Sequence, residues 1–270
     1  TTDTTIWHKI SFFRLMPGGV MEIYNQIIAG LKSHQQNHNK RQVKVCMKLP
    51  ESGYKFLCLA ISARVGFLYD YGALCAECAQ EIAKDLSKGV SCLHDLIVVE
   101  FGMDMLFVRS GNLTVQLNEA APYFIRVDNA APELLLEQPM DLDNILQKLV
   151  DFMSQQSDAR PIKLVLDTSE FSSGPSIFGI LIGYPVCYYM ETDRNCLSNI
   201  PLSVTRCTTN LEKKGFLACS FSCPVTIMND HSVVRDAIRE CELRFEAAFA
   251  NVGISCNVNS AVASFNALTL

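Results

Sequence analysis

The sequence predicts a mixed α/β fold, in which a central mixed parallel/antiparallel sheet carries about four main helices on its faces. Two patterns along the 270 residues indicate this class. Apolar side chains recur every three to four residues in four segments, which is the spacing of one face of an α-helix. Between these segments lie short apolar runs bounded by turn residues, as expected for strands of a covered sheet.

The four predicted helices cover residues 17–31, residues 73–88, the segment after Pro139, and residues 230–252. Gly89 is placed to end the second helix. Asp141 is a suitable N-cap for the third, with Met140 and Ile145 as a hydrophobic staple. The weakly basic stretch at 32–44, rich in amides, is typical of a solvated loop after the first helix.

Three strands are predicted at residues 65–70, 96–100 and 162–167, because these runs are short and almost wholly apolar. Residues 105–109 and 113–117 flank a Ser-Gly-Asn turn and predict a hairpin. Further strands are predicted at residues 123–127, 202–207, 216–222 and 254–258. In the segment 216–222, Leu217, Cys219 and Phe221 alternate with smaller residues, so we expect these three to face the core.

The composition predicts one folded unit. Hydrophobic residues make up 49% of the chain and charged residues 19%, a balance typical of a globular protein. We predict a single globular domain over residues 1–270. The one candidate for an internal seam is at residues 129–139, where Pro132 and Pro139 bracket a helix-prone stretch.

Net charge and hydropathy exclude two classes of partner. The formal net charge of −5 argues against nucleic acid, because neutralising phosphates requires a surplus of Lys and Arg. No apolar run reaches the roughly 18 residues that a membrane span needs. The first residues, TTDTTIWHKISFF, show no cleavable signal. The partner is therefore predicted to be an unidentified small molecule or protein.

The twelve cysteines predict an intracellular protein with reduced thiols. Several lie within apolar runs, such as Cys58 in FLCLA and Cys187 in PVCYY. Free cysteines behave as small apolar residues in a reducing compartment. The sequence thus favours a cytoplasmic or nuclear location.

Three of the predicted strands end in a carboxylate. Asp70 follows GFLY, Glu100 follows LIVV and Asp167 follows IKLVL. If these strands are parallel neighbours, the acids gather at the carboxyl edge of the sheet, where open α/β sheets bind ligands. Such carboxylates bind Mg²⁺ or act as general acid and base. The structural alternative is that each acid caps a helix or marks a turn.

Polar residues near the same strand ends complete the candidate ligand site. Tyr71 and Tyr184 offer hydroxyl groups, and Thr168 begins a hydroxyl-rich loop that could meet a phosphate. This loop lacks the Gly-x4-Gly-Lys frame of a P-loop.

A CxxC pair is the other chemical motif. Cys75 and Cys78, together with Cys92 and His94, have a spacing that loosely resembles a zinc site. A CxxC at the start of a helix also favours a reactive thiolate. Because Cys75 and Cys78 share a helix face with Ala79 and Ile82, we predict that both thiols are buried and bind no metal.

Five segments together resemble a known family: LYDYG at 68–72, LVLD at 164–167, FGILIGYPVCYY at 178–189, NCLSNIPLSV at 195–204 and FSCPV at 221–225. The chain is similar there to an uncharacterised eukaryotic family of comparable length, whose human member has only an open-reading-frame name on chromosome 1. The resemblance implies a cytoplasmic, non-membrane protein of unknown function and supplies no catalytic residue.

Three hypotheses remain for the function, and the sequence leaves open whether the chain is an enzyme. The first is a domain that binds a small molecule or divalent cation at the acidic sheet edge. The second is a non-catalytic protein-interaction domain with structural carboxylates. The third is a thiol-based metal or redox protein.

Overall fold

A computed structural model describes residues 19–40, 48–70, 74–119, 121–154, 163–168, 173–192, 196–211 and 213–266. Within these ranges the chain forms eight α-helices and ten strands in three sheets. The mixed α/β class is confirmed. The predictions of one central sheet and about four helices are wrong. The described strands divide among three sheets, and four further helices lie along the chain between the four predicted ones.

The helices are α1 (Gly19–Lys40), α2 (Leu49–Ala60), α3 (Ala76–Gly89), α4 (Ser110–Glu119), α5 (Met140–Ser154), α6 (Gly174–Ile182), α7 (Val225–Asp230) and α8 (Ser232–Ala250). The strands are β1 (Gly66–Leu68), β2 (Leu96–Phe101), β3 (Asp104–Arg109), β4 (Tyr123–Arg126), β5 (Glu133–Leu134), β6 (Lys163–Leu166), β7 (Val186–Tyr189), β8 (Leu202–Leu211), β9 (Lys214–Pro224) and β10 (Cys256–Ala263).

Sheet A has the strand order β1-β3-β2-β6. Strand β3 is antiparallel to both β1 and β2, and β2 is parallel to β6. Strands β1, β2 and β6 therefore run in the same direction, although β3 separates the first two. The β2–β3 turn has Gly102 at φ +61°, the first-position glycine that a tight two-residue hairpin favours.

Helices cover both faces of sheet A, because alternate residues of a strand point to opposite faces. Val98 of β2 packs in a cluster with Leu31 of α1 and Ile82 of α3. Its neighbour Val99 packs in a second cluster with Ile145 of α5 and Ile180 of α6. This double coverage explains why the strands of sheet A are apolar on both sides.

The remaining described strands form sheets B and C. In sheet B, β4 pairs antiparallel with β5 and parallel with β7. Sheet C is antiparallel, with β8 between β9 and β10. The Tyr54 hydroxyl of α2 hydrogen bonds to the Thr209 hydroxyl of β8, which fixes α2 to sheet C.

Strand β9 shows why one expected core residue is exposed. The pairing of β8 with β9 shifts after Cys207, so that Ala218 is an extra residue on β9. A bulge of this kind reverses which side chains face inward. Cys219 and Phe221 are buried as predicted, whereas Leu217 is 52% exposed.

Two loop and strand predictions are also wrong. Residues 113–117 lie in α4, whose first turn is stabilised by the Asp95 carboxylate, which accepts a hydrogen bond of 2.9 Å from the Gly111 N–H. The hairpin partner of β3 is thus β2. Residues 32–40 continue α1 as helix, and residues 41–47 lie outside the described ranges.

Candidate functional site

The predicted acidic edge consists of Asp70, Glu100 and Asp167. Because β1, β2 and β6 run in the same direction, all three residues lie towards one edge of sheet A. They are not on three adjacent parallel strands, since β3 inserts between β1 and β2.

Lysines already bind two of these carboxylates. The Lys55 ammonium contacts Asp70 Oδ1 at 2.8 Å, and the Lys163 ammonium contacts Glu100 Oε2 at the same distance. Burial lowers the pKa of Lys55, and the carboxylate of Asp70 partly offsets this effect. Two of the three acids therefore have a cationic partner without any ligand.

The remaining residues of this predicted site are exposed or undescribed. Asp167 and Thr168 are exposed, and Tyr71 lies outside the described residues. In the described ranges no three His, Cys, Asp or Glu side chains are close enough to share a metal ion. A ligand site at the acidic edge, including one for Mg²⁺, stays a prediction.

The four residues with zinc-like spacing lie at opposite ends of α3. Cys75 is the N-cap of this 14-residue helix, while Cys92 and His94 follow its C-terminal end. A helix of this length spans roughly 20 Å, so the four side chains do not converge on one ion. Cys78 is buried as predicted, but Cys75 is exposed because an N-cap residue lies outside the helix face.

Burial of the cysteines agrees with their apolar neighbours. Seven of the eleven described cysteines are buried: Cys58, Cys78, Cys187, Cys207, Cys219, Cys223 and Cys241. Cys46 lies outside the described residues. The redox state of these thiols stays a prediction.

Tyr184 lies at a different place from the acidic edge. It follows Gly183, which packs against Val65 just before β1, at the end of sheet A opposite the acids. There it lines a cavity of about 360 Å³ between the C-terminal half of α4, the start of β4, the loop from α6 to β7, and one face of α8. We call this cavity the α4–α8 pocket.

Helix periodicity explains what α8 contributes to this pocket. Asp236, Glu240 and Arg244 recur at intervals of four residues and therefore lie along one face of α8. Val234, Ile238 and Phe245 on the adjoining face are buried in the core, which fixes the polar face towards the pocket.

The carboxylates of the pocket form no ion pair within the part of the chain that the structure describes. Glu119, Asp236 and Glu240 line the cavity and make no salt bridge with any described residue. The Arg244 guanidinium instead donates to the Gly183 carbonyl at 2.9 Å and to Cys241 Sγ at 3.4 Å. The pocket therefore presents an excess of hydrogen-bond acceptors and negative charge.

Gln116 adds a buried acceptor beneath this rim. Its side chain is 1% exposed, and its Nε2 donates to the Ile180 carbonyl at 3.3 Å. Its Oε1 is buried and has no hydrogen-bond partner among the described residues. Leaving a buried acceptor without a hydrogen bond lowers the stability of the fold by about 1–3 kcal/mol. A ligand that donated a hydrogen bond to this oxygen would remove that cost.

Tyr184 supplies the aromatic wall. Its ring lies 5.8 Å from the ring of Phe221. Burial raises the pKa of the Tyr184 hydroxyl, and the nearby Cys219 thiol acts in the same direction. The hydroxyl therefore keeps its proton at neutral pH.

The sequence did not indicate Gln116, Asp236 or Glu240 as site residues. The sequence predicts residues 113–117 as a hairpin strand, whereas Gln116 lies in α4, from which it lines the pocket. The Asp-x3-Glu-x3-Arg spacing of 236–244 was the available signal, but on an exposed helix face it also fits a plain solvated surface.

The fold and pocket define a mixed α/β protein with an acceptor-rich cavity at the end of sheet A opposite the acidic edge. No described helix combines the length and apolar character that crossing a membrane requires.

The chain belongs to the family described as Domain of unknown function (DUF4504), whose model matches residues 30–259. No solved structure matches it. The family match agrees with the resemblance to an uncharacterised family, and the function must be argued from the residues.

Proposed function

We propose that this chain binds a small organic cation with N–H donors in the α4–α8 pocket. The observation that carries the proposal is the buried Oε1 of Gln116, which has no hydrogen-bond partner among the described residues and lies beneath three carboxylates that form no salt bridge with any of them. A ligand amine or guanidinium group would donate to this oxygen and neutralise the carboxylates at the same time.

The size and shape of the pocket support a small ligand. Ligand cavities typically have volumes of about 300–1,000 Å³, so a cavity of about 360 Å³ fits a molecule at the small end of this range. The face of Tyr184 would favour a cation through its ring electrons. A bare metal ion fits less well, because the described acids do not form a metal-binding group.

The acidic edge is the competing location for a ligand. There Lys55 and Lys163 already supply the positive charge that a cationic ligand would bring. A cation would have to displace these lysines, whereas in the α4–α8 pocket it meets carboxylates that form no salt bridge with any described residue. This difference favours the pocket.

A cytoplasmic or nuclear location with reduced thiols is part of the same proposal. The burial of seven of the eleven described cysteines supports it, since buried free thiols are typical of proteins from a reducing compartment.

Matched ligands test the proposal. We expect putrescine and agmatine to raise the melting temperature and to give a binding isotherm by calorimetry. The uncharged analogue 1,4-butanediol, of the same length as putrescine, should have no effect. Raising the salt concentration should weaken binding, because the carboxylates are at the surface.

Variants then locate the site. Glu240→Gln and Gln116→Leu should each weaken binding at least about tenfold, since each removes one charge-assisted or buried hydrogen bond. Asp70→Asn is the control and should leave binding unchanged. Loss of binding in Asp70→Asn alone would move the ligand to the acidic edge, and equal binding of butanediol and putrescine would contradict the proposal.

A further inference from the structure

Cys75 and Cys78 form a close thiol pair at the start of α3. Cys75 is the N-cap of the helix and Cys78 lies three residues further on. The Cys75 thiol donates to Cys78 Sγ at a sulfur–sulfur distance of 2.9 Å. The bond of a disulfide is about 2.05 Å long, so a small rotation about the side-chain bonds suffices to join these sulfurs.

The two thiols differ in access to solvent. Cys75 is exposed, whereas Cys78 is 3% exposed. An oxidant can therefore reach Cys75 directly, while Cys78 can be reached only through Cys75. This asymmetry is the arrangement that a two-step exchange needs, with one attacking and one resolving thiol.

The surroundings also distinguish their reactivity. The backbone N–H of Cys78 donates to Cys75 Sγ at 3.3 Å, at the N-terminal end of α3. Burial raises the pKa of Cys78 to about 12, with Cys75, Glu81 and Glu77 acting in the same direction. Cys78 thus stays protonated until its partner has reacted.

We propose that Cys75 and Cys78 are a redox-active dithiol that exchanges with a small disulfide or with a disulfide of a partner protein. The Cys75 thiolate, its proton lost to water, attacks one sulfur of the disulfide and releases the other as a thiolate. That thiolate takes the proton of Cys78, whose sulfur attacks Cys75 Sγ and releases the second sulfur as a thiolate, which regains from water the proton that Cys75 lost. The pair loses two electrons and two protons, and the disulfide becomes two thiols.

A metal-binding role for the pair is less consistent with the geometry. A structural zinc ion requires four ligands, and Cys92 and His94 lie beyond the opposite end of α3. A dithiol needs only the two sulfurs that are already in contact. The site is also separate from the α4–α8 pocket, so this inference does not rest on the proposed ligand.

Peptide mapping of the native chain tests the inference directly. Trypsin releases residues 65–84 as one peptide, bounded by Arg64 and Lys84, and Cys75 and Cys78 are its only cysteines. The folded protein is equilibrated with reduced and oxidised glutathione, and free thiols are then blocked with iodoacetamide. We expect a peptide without alkyl groups that is lighter by two hydrogen atoms, and full reversal with dithiothreitol.

Variants separate the two roles. Cys78→Ser should trap glutathione on Cys75 as a mixed disulfide, and Cys75→Ser should leave Cys78 at least about tenfold slower to react. Cys219, which is buried, is the internal control and should react only after unfolding. A wild-type peptide that carries two alkyl groups at every glutathione ratio would overturn the inference, whether or not either variant folds.

Discussion

Two arginines near the start of β1 differ in the hydrogen bonds and salt bridges that their side chains form. Arg109 donates from Nε to Asp95 Oδ1 at 2.8 Å and from Nη1 to the Leu59 carbonyl and the Ser62 hydroxyl. Arg64 is buried, at 8% exposure. Its Nε has no hydrogen-bond partner among the described residues, and none of their carboxylates forms a salt bridge with it.

We expect opposite outcomes when each arginine is replaced by methionine. Arg109→Met should lower the free energy of unfolding by about 3 kcal/mol, because Asp95 would keep a nearly buried charge that has lost its cationic partner and retains only the Gly111 N–H as a donor. Arg64→Met should leave stability unchanged or raise it, because methionine fills similar space without a buried charge. Urea denaturation of the two variants and the wild type measures both effects. An equal loss of unfolding free energy in the two variants would contradict this expectation, because it would mean that the Arg64 guanidinium stabilises the fold as much as that of Arg109.

Strand β1 and helix α6 approach so closely at Gly66 that no methyl group fits between their backbones. A Cβ at Gly66 would lie 2.4 Å from the Leu181 carbonyl oxygen and 2.9 Å from that of Phe107. Neither oxygen is at the end of a flexible side chain, so the strand or the helix would have to move.

Gly66→Ala should therefore destabilise the fold by about 2–4 kcal/mol. Gly89→Ala is the matched control, since no atom lies within 4 Å of the added methyl group and alanine favours the last turn of α3. Thermal unfolding of both variants checks the difference. A neutral Gly66→Ala would mean that β1 and α6 are not packed at this distance.

The sequence predicted those helices whose apolar residues recur along one face. Helices α3, α5 and α8 have one apolar face and were predicted to within a few residues. Helix α2 was missed because most of its residues are buried, including Tyr54, Phe56 and Leu57, so its apolar residues do not form the single stripe that marks an amphipathic helix. Helix α4 was missed because its stability comes from Asp95 and from tertiary contacts of Asn112 and Gln116, which no local pattern contains.

The candidate site also depends on tertiary contacts that no local sequence pattern contains. Tyr184 was identified from sequence, but its partners Gln116 and Glu240 come from helices that are distant along the chain. The acidic edge was predicted on the condition that its three strands are parallel neighbours. They share one direction, but the insertion of β3 and the pairing with Lys55 could not be predicted from strand patterns.

Across the whole molecule, the buried thiols predict an alkaline limit to stability. Burial raises the pKa of Cys58, Cys219 and Cys223 from 9.0 to about 12. In the unfolded chain these thiols lose their protons near pH 9, while the folded chain keeps them. The unfolded state therefore binds fewer protons between pH 9 and 12, and the free energy of unfolding falls as pH rises through this window.

Each such thiol should contribute a loss on the order of 1 kcal/mol per pH unit. Urea denaturation at pH 7, 9 and 10, with reductant and constant ionic strength, measures the slope. Cys223→Ala should be less stable at pH 7 but should show a shallower decline, because one titrating group is gone. An unchanged free energy of unfolding up to pH 10 would contradict the burial of these thiols.

The position of β3 between β1 and β2 also has a consequence for the route by which the chain folds. The β2–β3 hairpin closes over a two-residue turn, so its contacts are local and cost little loop entropy. Strands β1 and β6 pair with this hairpin from distant parts of the sequence, and each needs the exposed edge of a strand that the hairpin has already ordered. We therefore expect sheet A to form outwards from its central hairpin, so that the acidic edge is complete only when both outer strands have joined.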